Sequence, residues 1–182
     1  MTDKTGADRR FPPALADAAR TSFSYGEDGV GIDFEPYDAF DSAEETTGWL
    51  RQWTGNPAVD GDAYRVFGQD GAGGLVALWC ARPGRPLTEQ PVVYIGSEGE
   101  CGVVAGDLSG FLWVLADGFG PMAAALYGAG EADEAHETGP GAAPAELAAR
   151  HATTPRRPAR EIVAEAQAEF PAFAEGLCAL CR

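Results

Sequence analysis

Four apolar stretches between residues 63 and 106 constrain this chain more than any other feature. They read "AYRVFG", "LVALWCA", "PVVYIG" and "CGVVAG", and they are separated by "QDGAGG", "RPGRPLTEQ" and "SEGE". A parallel pair of strands needs a crossover of a dozen or more residues, and none of these connections is that long. Neighbouring strands must therefore pair antiparallel, with strands expected near 64–68, 75–81, 91–96 and 101–105. "LVALWCA" is apolar at both odd and even positions, as a central strand covered on two sides would be.

The first connection carries a glycine cluster, Gly68, Gly71, Gly73 and Gly74. A phosphate-binding loop would set such glycines between a strand and a helix, where free backbone N–H groups meet the anion. Here Leu75–Ala81 follows, a short β-like run, with no Lys-Ser or Lys-Thr after the glycines. Asp70-Gly71 and Gly73-Gly74 instead suit a hairpin that needs positive φ in its turn.

Helical signals surround the strands. Ser42 and Glu45 have capping-box spacing ahead of Trp49, Leu50 and Trp53, and Gly55 and Pro57 end that segment. Asp107 precedes Leu108, Phe111, Leu112 and Leu115, which recur at i, i+3, i+4 and i+7. Gly118, Gly120 and Pro121 stop the pattern. Pro144 and Pro158 stand at first-turn positions of two later helices, and a kink or new start is expected at Pro171. Helices are thus expected near 43–54, 107–117, 145–151 and 158–170. A short helix over 13–20 and a short strand over Val30–Phe34 complete the reading.

The fold class is α+β: a curved, mainly antiparallel sheet covered by helices, with a C-terminal helical extension. Residues 1–127 form the α+β domain. Residues 128–143, rich in Gly, Ala and acids, read as a mobile linker. Residues 144–182 form the extension.

Chemistry is sparse. Of two histidines, His136 falls in the linker and His151 at a helix end, where solvent exposure is expected. No G-x-S-x-G or H-E-x-x-H occurs, and "VDGDAY" lacks the later ligands of a calcium loop. Cys80 and Cys101 read as small buried hydrophobes. Cys178 and Cys181, in "CALC", lack the second pair that a zinc ribbon needs. No catalytic residue, cofactor or metal is expected. No run approaches the ~20 apolar residues of a membrane span, and the N-terminus has no secretory apolar core, so the cytoplasm is the expected compartment.

Charge is the remaining signal. Acids number 28 against 13 bases, a net charge of −15, which repels nucleic acid and anionic membranes and favours basic partners. Residues 21–50 contain Glu27, Asp28, Asp33, Glu35, Asp38, Asp41, Glu44 and Glu45 and no base, interleaved with Phe34, Tyr37, Phe40 and Trp49. Two readings stand open: a solvated acidic loop with its rings turned inward, or an interface where charges steer a basic protein and rings supply the contact. In the second, Asp33, Glu35, Tyr37, Asp38, Asp41, Glu44 and Glu45 are the candidate partner-binding residues.

The order of elements in "FGQDGAGGLVALWCARPG…QPVVYIGSEGECGVVAGDLSGFLWVLADG", residues 67–118, resembles the SUKH superfamily. The features that carry the likeness are a glycine turn within a hairpin, a V-V strand, another short strand and a D-L-x-x-F-L helix. The superfamily comprises bacterial immunity proteins related to fungal cell-wall assembly regulators. The resemblance implies a sheet backed by helices and, in many members, binding that neutralises a protein toxin, often a nuclease. It implies no catalytic residues. A regulatory or scaffold module binding a cellular protein is the alternative, and an enzyme the third possibility.

Overall fold

A computed structural model describes residues 9–23, 25, 31–127 and 141–182. The sheet comprises β1 (Glu35–Pro36), β2 (Tyr64–Gln69), β3 (Leu75–Trp79), β4 (Val92–Ile95) and β5 (Cys101–Ala105), all antiparallel and in sequential order. It is open, with β3 at its centre. The helices among the described residues are α1 (Pro13–Ala18), α2 (Ala43–Thr54), α3 (Leu108–Ala116), α4 (Pro121–Tyr127), α5 (Ala142–His151), α6 (Ala159–Glu169) and α7 (Phe173–Cys178). The architecture is α+β, as the short connections required.

Alternation along β3 explains why both its faces are apolar. Val76 and Leu78 pack into a cluster with Phe111, Leu115 and Leu147, beneath α3 and α5. Leu75 and Ala77 pack with Leu50, Phe173 and Leu177, beneath α2 and α7. β4 repeats the pattern, with Val92 and Tyr94 on the first face and Val93 and Ile95 on the second. α6 lies against β5, sending Ile162 and Val163 to one cluster and Ala166 to the other. Gln167 on that helix donates from Nε2 to the Val103 carbonyl at 3.3 Å and to that of Ala125 at 3.0 Å. The C-terminal helices therefore pack on the sheet and on α3.

Two boundaries move for identifiable reasons. The expected strand over Val30–Phe34 is replaced by β1, because pairing starts at Glu35↔Gln69. Residues 31–34 lie beyond the end of β2, opposite the turn, and Gly31 forms an isolated antiparallel bridge with Tyr25 outside the sheet. Ile32 and Phe34 still point into the core, and Val30 lies outside the described residues. β3 stops at Trp79 and not at Ala81: Cys80 N–H donates to the Ala63 carbonyl and Ala81 N–H to that of Trp79, which turns the chain. Pro121, read as a stop, opens α4, since proline fits a first helical turn. Pro171 marks a new start, α7.

Local end signals act as their chemistry dictates. Ser42 Oγ accepts from Glu45 N at 3.1 Å while Ser42 N donates to Glu45 Oε2 at 2.9 Å, a complete capping box. Gly55 closes α2 with φ 64°, a conformation that costs other residues more. Asp107 Oδ1 accepts from Gly110 N at 2.7 Å at the head of α3.

The glycine connection is a hairpin built around a buried acid. Asp70 is 1% exposed. Its Oδ1 accepts from Ala72 N at 3.0 Å and Gly74 N at 2.8 Å, and its Oδ2 accepts from the Tyr94 hydroxyl at 2.5 Å. Burial and the neighbouring Asp70 carboxylate hold the Tyr94 phenol far above its ordinary range. Gly73 takes the positive φ of the turn, 83°. Gly74 serves a different need: a Cβ there would lie 2.8 Å from Cε2 and Cζ of Tyr94.

Two substitutions test this arrangement. Gly74→Ala must displace the Tyr94 ring and is expected to cost about 1–3 kcal/mol. Tyr94→Phe removes a donor from a buried carboxylate and is expected to cost about 1–3 kcal/mol. Urea titrations that leave both variants within ~0.5 kcal/mol of the parent would refute this role for the hairpin.

Candidate functional site: an acidic groove beside the sheet edge

The segment from Glu35 to Glu45 lies along β2 and is held there through its main chain. Tyr37 N–H donates to the Phe67 carbonyl at 2.8 Å, and Asp41 N–H donates to that of Val66 at 3.1 Å. Arg9 donates from Nη2 to the Asp41 carbonyl. Past Asp41 the chain enters the capping box of α2. The side chains are thus mounted on a strand edge and a helix start, which limits the freedom lost when a partner binds.

An open groove of about 540 Å³ results, lined by Pro36, Tyr37, Asp38, Phe40, Asp41 and Glu45. Asp38 is exposed and Tyr37 half-buried. The Tyr37 hydroxyl donates to Gln69 Oε1 at 2.8 Å, and Gln69 Nε2 donates to Glu35 Oε2 at 3.0 Å. Burial, then the charges of Asp41 and Glu35, raise the Tyr37 phenol above its usual range. Burial, reinforced by Glu45, raises the Asp41 carboxyl, against an opposing pull from Arg9. The Ser42 hydrogen bonds lower Glu45, keeping it ionised. The groove offers carboxylate and phenol oxygens and an apolar floor, a set suited to a guanidinium or ammonium group.

Of the seven candidate residues, Tyr37, Asp38, Asp41 and Glu45 line this groove. Glu35 is exposed and turned to Gln69. Glu44 is exposed on the first turn of α2. Asp33 points elsewhere: its Oδ1 accepts from Gly71 N at 2.9 Å and braces the glycine hairpin. Glu27 and Asp28 lie outside the described residues, as do residues 128–140 of the expected linker with His136. The aromatic residues divide as well. Phe34 is buried, edge-on to Phe23, Phe67 and Phe111, whereas Phe40 packs edge-on against Phe11 at 4.9 Å. Trp49 stacks on Trp53 at 6.2 Å. Phe34 is thus turned inward, as a solvated acidic loop would have it, while Asp38, Glu44 and Glu45 stand exposed.

Three other residues differ from expectation. His151 is partly buried: α5 packs on α1, which brings its Nε2 to 2.7 Å from Asp17 Oδ2, alongside Arg150. Cys80 and Cys101 are half-buried and not fully buried, the first because it follows the end of β3, the second because it opens the edge strand β5. Among the described residues no group of three or more His, Cys, Asp or Glu side chains could hold a metal ion. No helix of the described residues is long and apolar enough to cross a membrane.

The raised Asp41 carboxyl has a consequence for stability. A folded-state value above the unfolded one destabilises the fold while Asp41 is ionised, and this penalty vanishes as pH falls below the usual carboxylate range. Asp41→Asn is expected to raise Tm by about 1–3 °C at neutral pH. The gain should disappear near pH 3, where Asp41 is protonated in both states. Thermal scans across pH check this, and a lowered Tm at neutral pH would contradict it.

Compared with models of protein families, with curated proteins and with solved structures, the chain matches none of them.

Proposed function

We propose that this chain is a non-catalytic protein-binding domain that receives a basic segment of a partner protein in the Tyr37–Glu45 groove. The observation that carries this is the mounting of Tyr37, Asp38, Asp41 and Glu45 around one open groove by main-chain hydrogen bonds to β2. A net charge of −15 adds long-range attraction for a basic partner. The resemblance to SUKH immunity proteins supports a protein toxin as that partner, neutralised by occlusion of its active site or substrate groove. A nuclease has a groove of the required sign, because it must bind phosphates.

The test is capture of the partner from the native cell, followed by binding measurements with surface variants. Asp38→Lys with Glu44→Lys is the informative pair, since among the described residues no hydrogen bond depends on either side chain. Glu45 is left intact because it completes the helix cap, and Asp33 because it braces the hairpin. Affinity should fall at least tenfold at low salt, with a shallower salt dependence than the parent. Unchanged affinity rules the groove out as the contact. A captured partner that is harmless to the cell replaces the immunity reading with a regulatory or scaffold one. Capture of no basic protein removes both.

A further inference from the structure

Cys101 stands far in sequence from Cys178 and Cys181, and the fold brings it to them. Cys101 opens β5, Cys178 ends α7, and Cys181 follows one turn later, its N–H donating to the Cys178 carbonyl at 3.0 Å. Cys101 packs against the cluster that buries Phe173 and Leu177 of α7, the helix that ends at Cys178 and lies on β5. The Cys178 and Cys181 thiols are close enough to act on the half-buried Cys101 thiol. Cys178 and Cys181 are exposed and line an open cavity of about 560 Å³, shared with the stacked indoles of Trp49 and Trp53.

These thiols do not ride on a loose tail. Asn56 Nδ2 donates to the Leu180 carbonyl at 2.9 Å, and Arg182 N–H donates to that of Thr54 at 3.0 Å. Trp53 Nε1 donates to the Gly96 carbonyl at 2.8 Å, which fixes the facing wall. Phe173 and Leu177 anchor α7 in the core. Two thiols held against one another in this way can be oxidised to a disulfide.

We propose that Cys101 and Cys178 form a redox-responsive pair that closes to a disulfide on exposure to a peroxide and locks α7 onto β5. The exposed Cys178 reacts first. Its thiolate attacks one peroxide oxygen, the O–O bond breaks, and the departing hydroxide takes up the thiol's proton to leave as water, giving a sulfenic acid. The Cys101 thiolate then attacks the sulfenic sulfur. The S–S bond forms as the S–O bond breaks, and a second water leaves with the Cys101 proton. Two thiols are oxidised by two electrons, and one peroxide is reduced to two waters. Burial pushes the Cys101 thiol up to about 11, so little of it is ionised at neutral pH and closure accelerates as pH rises.

The test treats the native protein with hydrogen peroxide, alkylates it after denaturation and counts modified cysteines by intact mass. The reduced protein should take up four alkyl groups, one for each cysteine in the chain. The oxidised protein should take up two fewer, with a non-reducing peptide map joining Cys101 to Cys178. Its Tm should rise by roughly 5–10 °C and return on adding dithiothreitol. Cys181→Ser should leave the bridge intact, and its exposed position makes folding of that variant safe. Full alkylation after peroxide, a Cys178–Cys181 bridge, or a link between two molecules would each overturn the proposal.

Discussion

The constraint on which this structure depends is that β3 must be covered on both faces. A strand with Val76 and Leu78 on one side and Leu75 and Ala77 on the other cannot leave either in water. The chain therefore has to supply two apolar layers. The first comes from α3 and α5, the second from α2 and α7. Because α2 precedes β2 and α7 follows β5, the second layer joins segments that flank the four long strands in sequence. The meeting of Cys101 with Cys178, and of Thr54 with Arg182, follows from that closure.

Within the sheet, a buried carboxylate fixes how two strands turn. Asp70 accepts from two turn N–H groups and from the Tyr94 hydroxyl, so the β2–β3 turn is tied across β3 to β4. A buried polar group costs free energy unless it is hydrogen-bonded, and both oxygens of Asp70 are. Asp33 adds a second brace from outside, through Gly71 N. Two acids of a strongly acidic chain thus serve the fold, Asp70 buried and Asp33 at the surface, whereas Asp38 and Glu44 are exposed and make no such brace.

Much of this was legible in the residues. The antiparallel order followed from connection lengths, the central position of β3 from its two-sided apolar character, and the ends of α2 from Ser42, Glu45 and Gly55. The acidic segment was legible as a feature, but its division was not. Nothing local distinguishes Asp33 from Asp38, because the difference lies in Gly71, which is distant in sequence and adjacent only in the fold. Asp70 was equally hidden: before a glycine it reads as a turn residue, and its burial depends on Tyr94 arriving two strands later. His151 looked exposed because its partner, Asp17, lies on α1 near the opposite end of the chain. The lost strand at Val30–Phe34 has the same origin, since whether a strand pairs depends on where its neighbour ends.

Gln167 carries a consequence beyond packing. An edge strand ordinarily offers unpaired carbonyl and amide groups to any extended chain that approaches. On β5 a side-chain amide already occupies the Val103 carbonyl, with α6 lying alongside. On the far side β1 is two residues long and ends in a proline, which has no N–H to give. Neither border of the sheet can readily be lengthened by a visiting strand, whether from a misfolded copy or from a binding peptide. A partner of the kind proposed would thereby be met through side chains and charge, and not through backbone zippering.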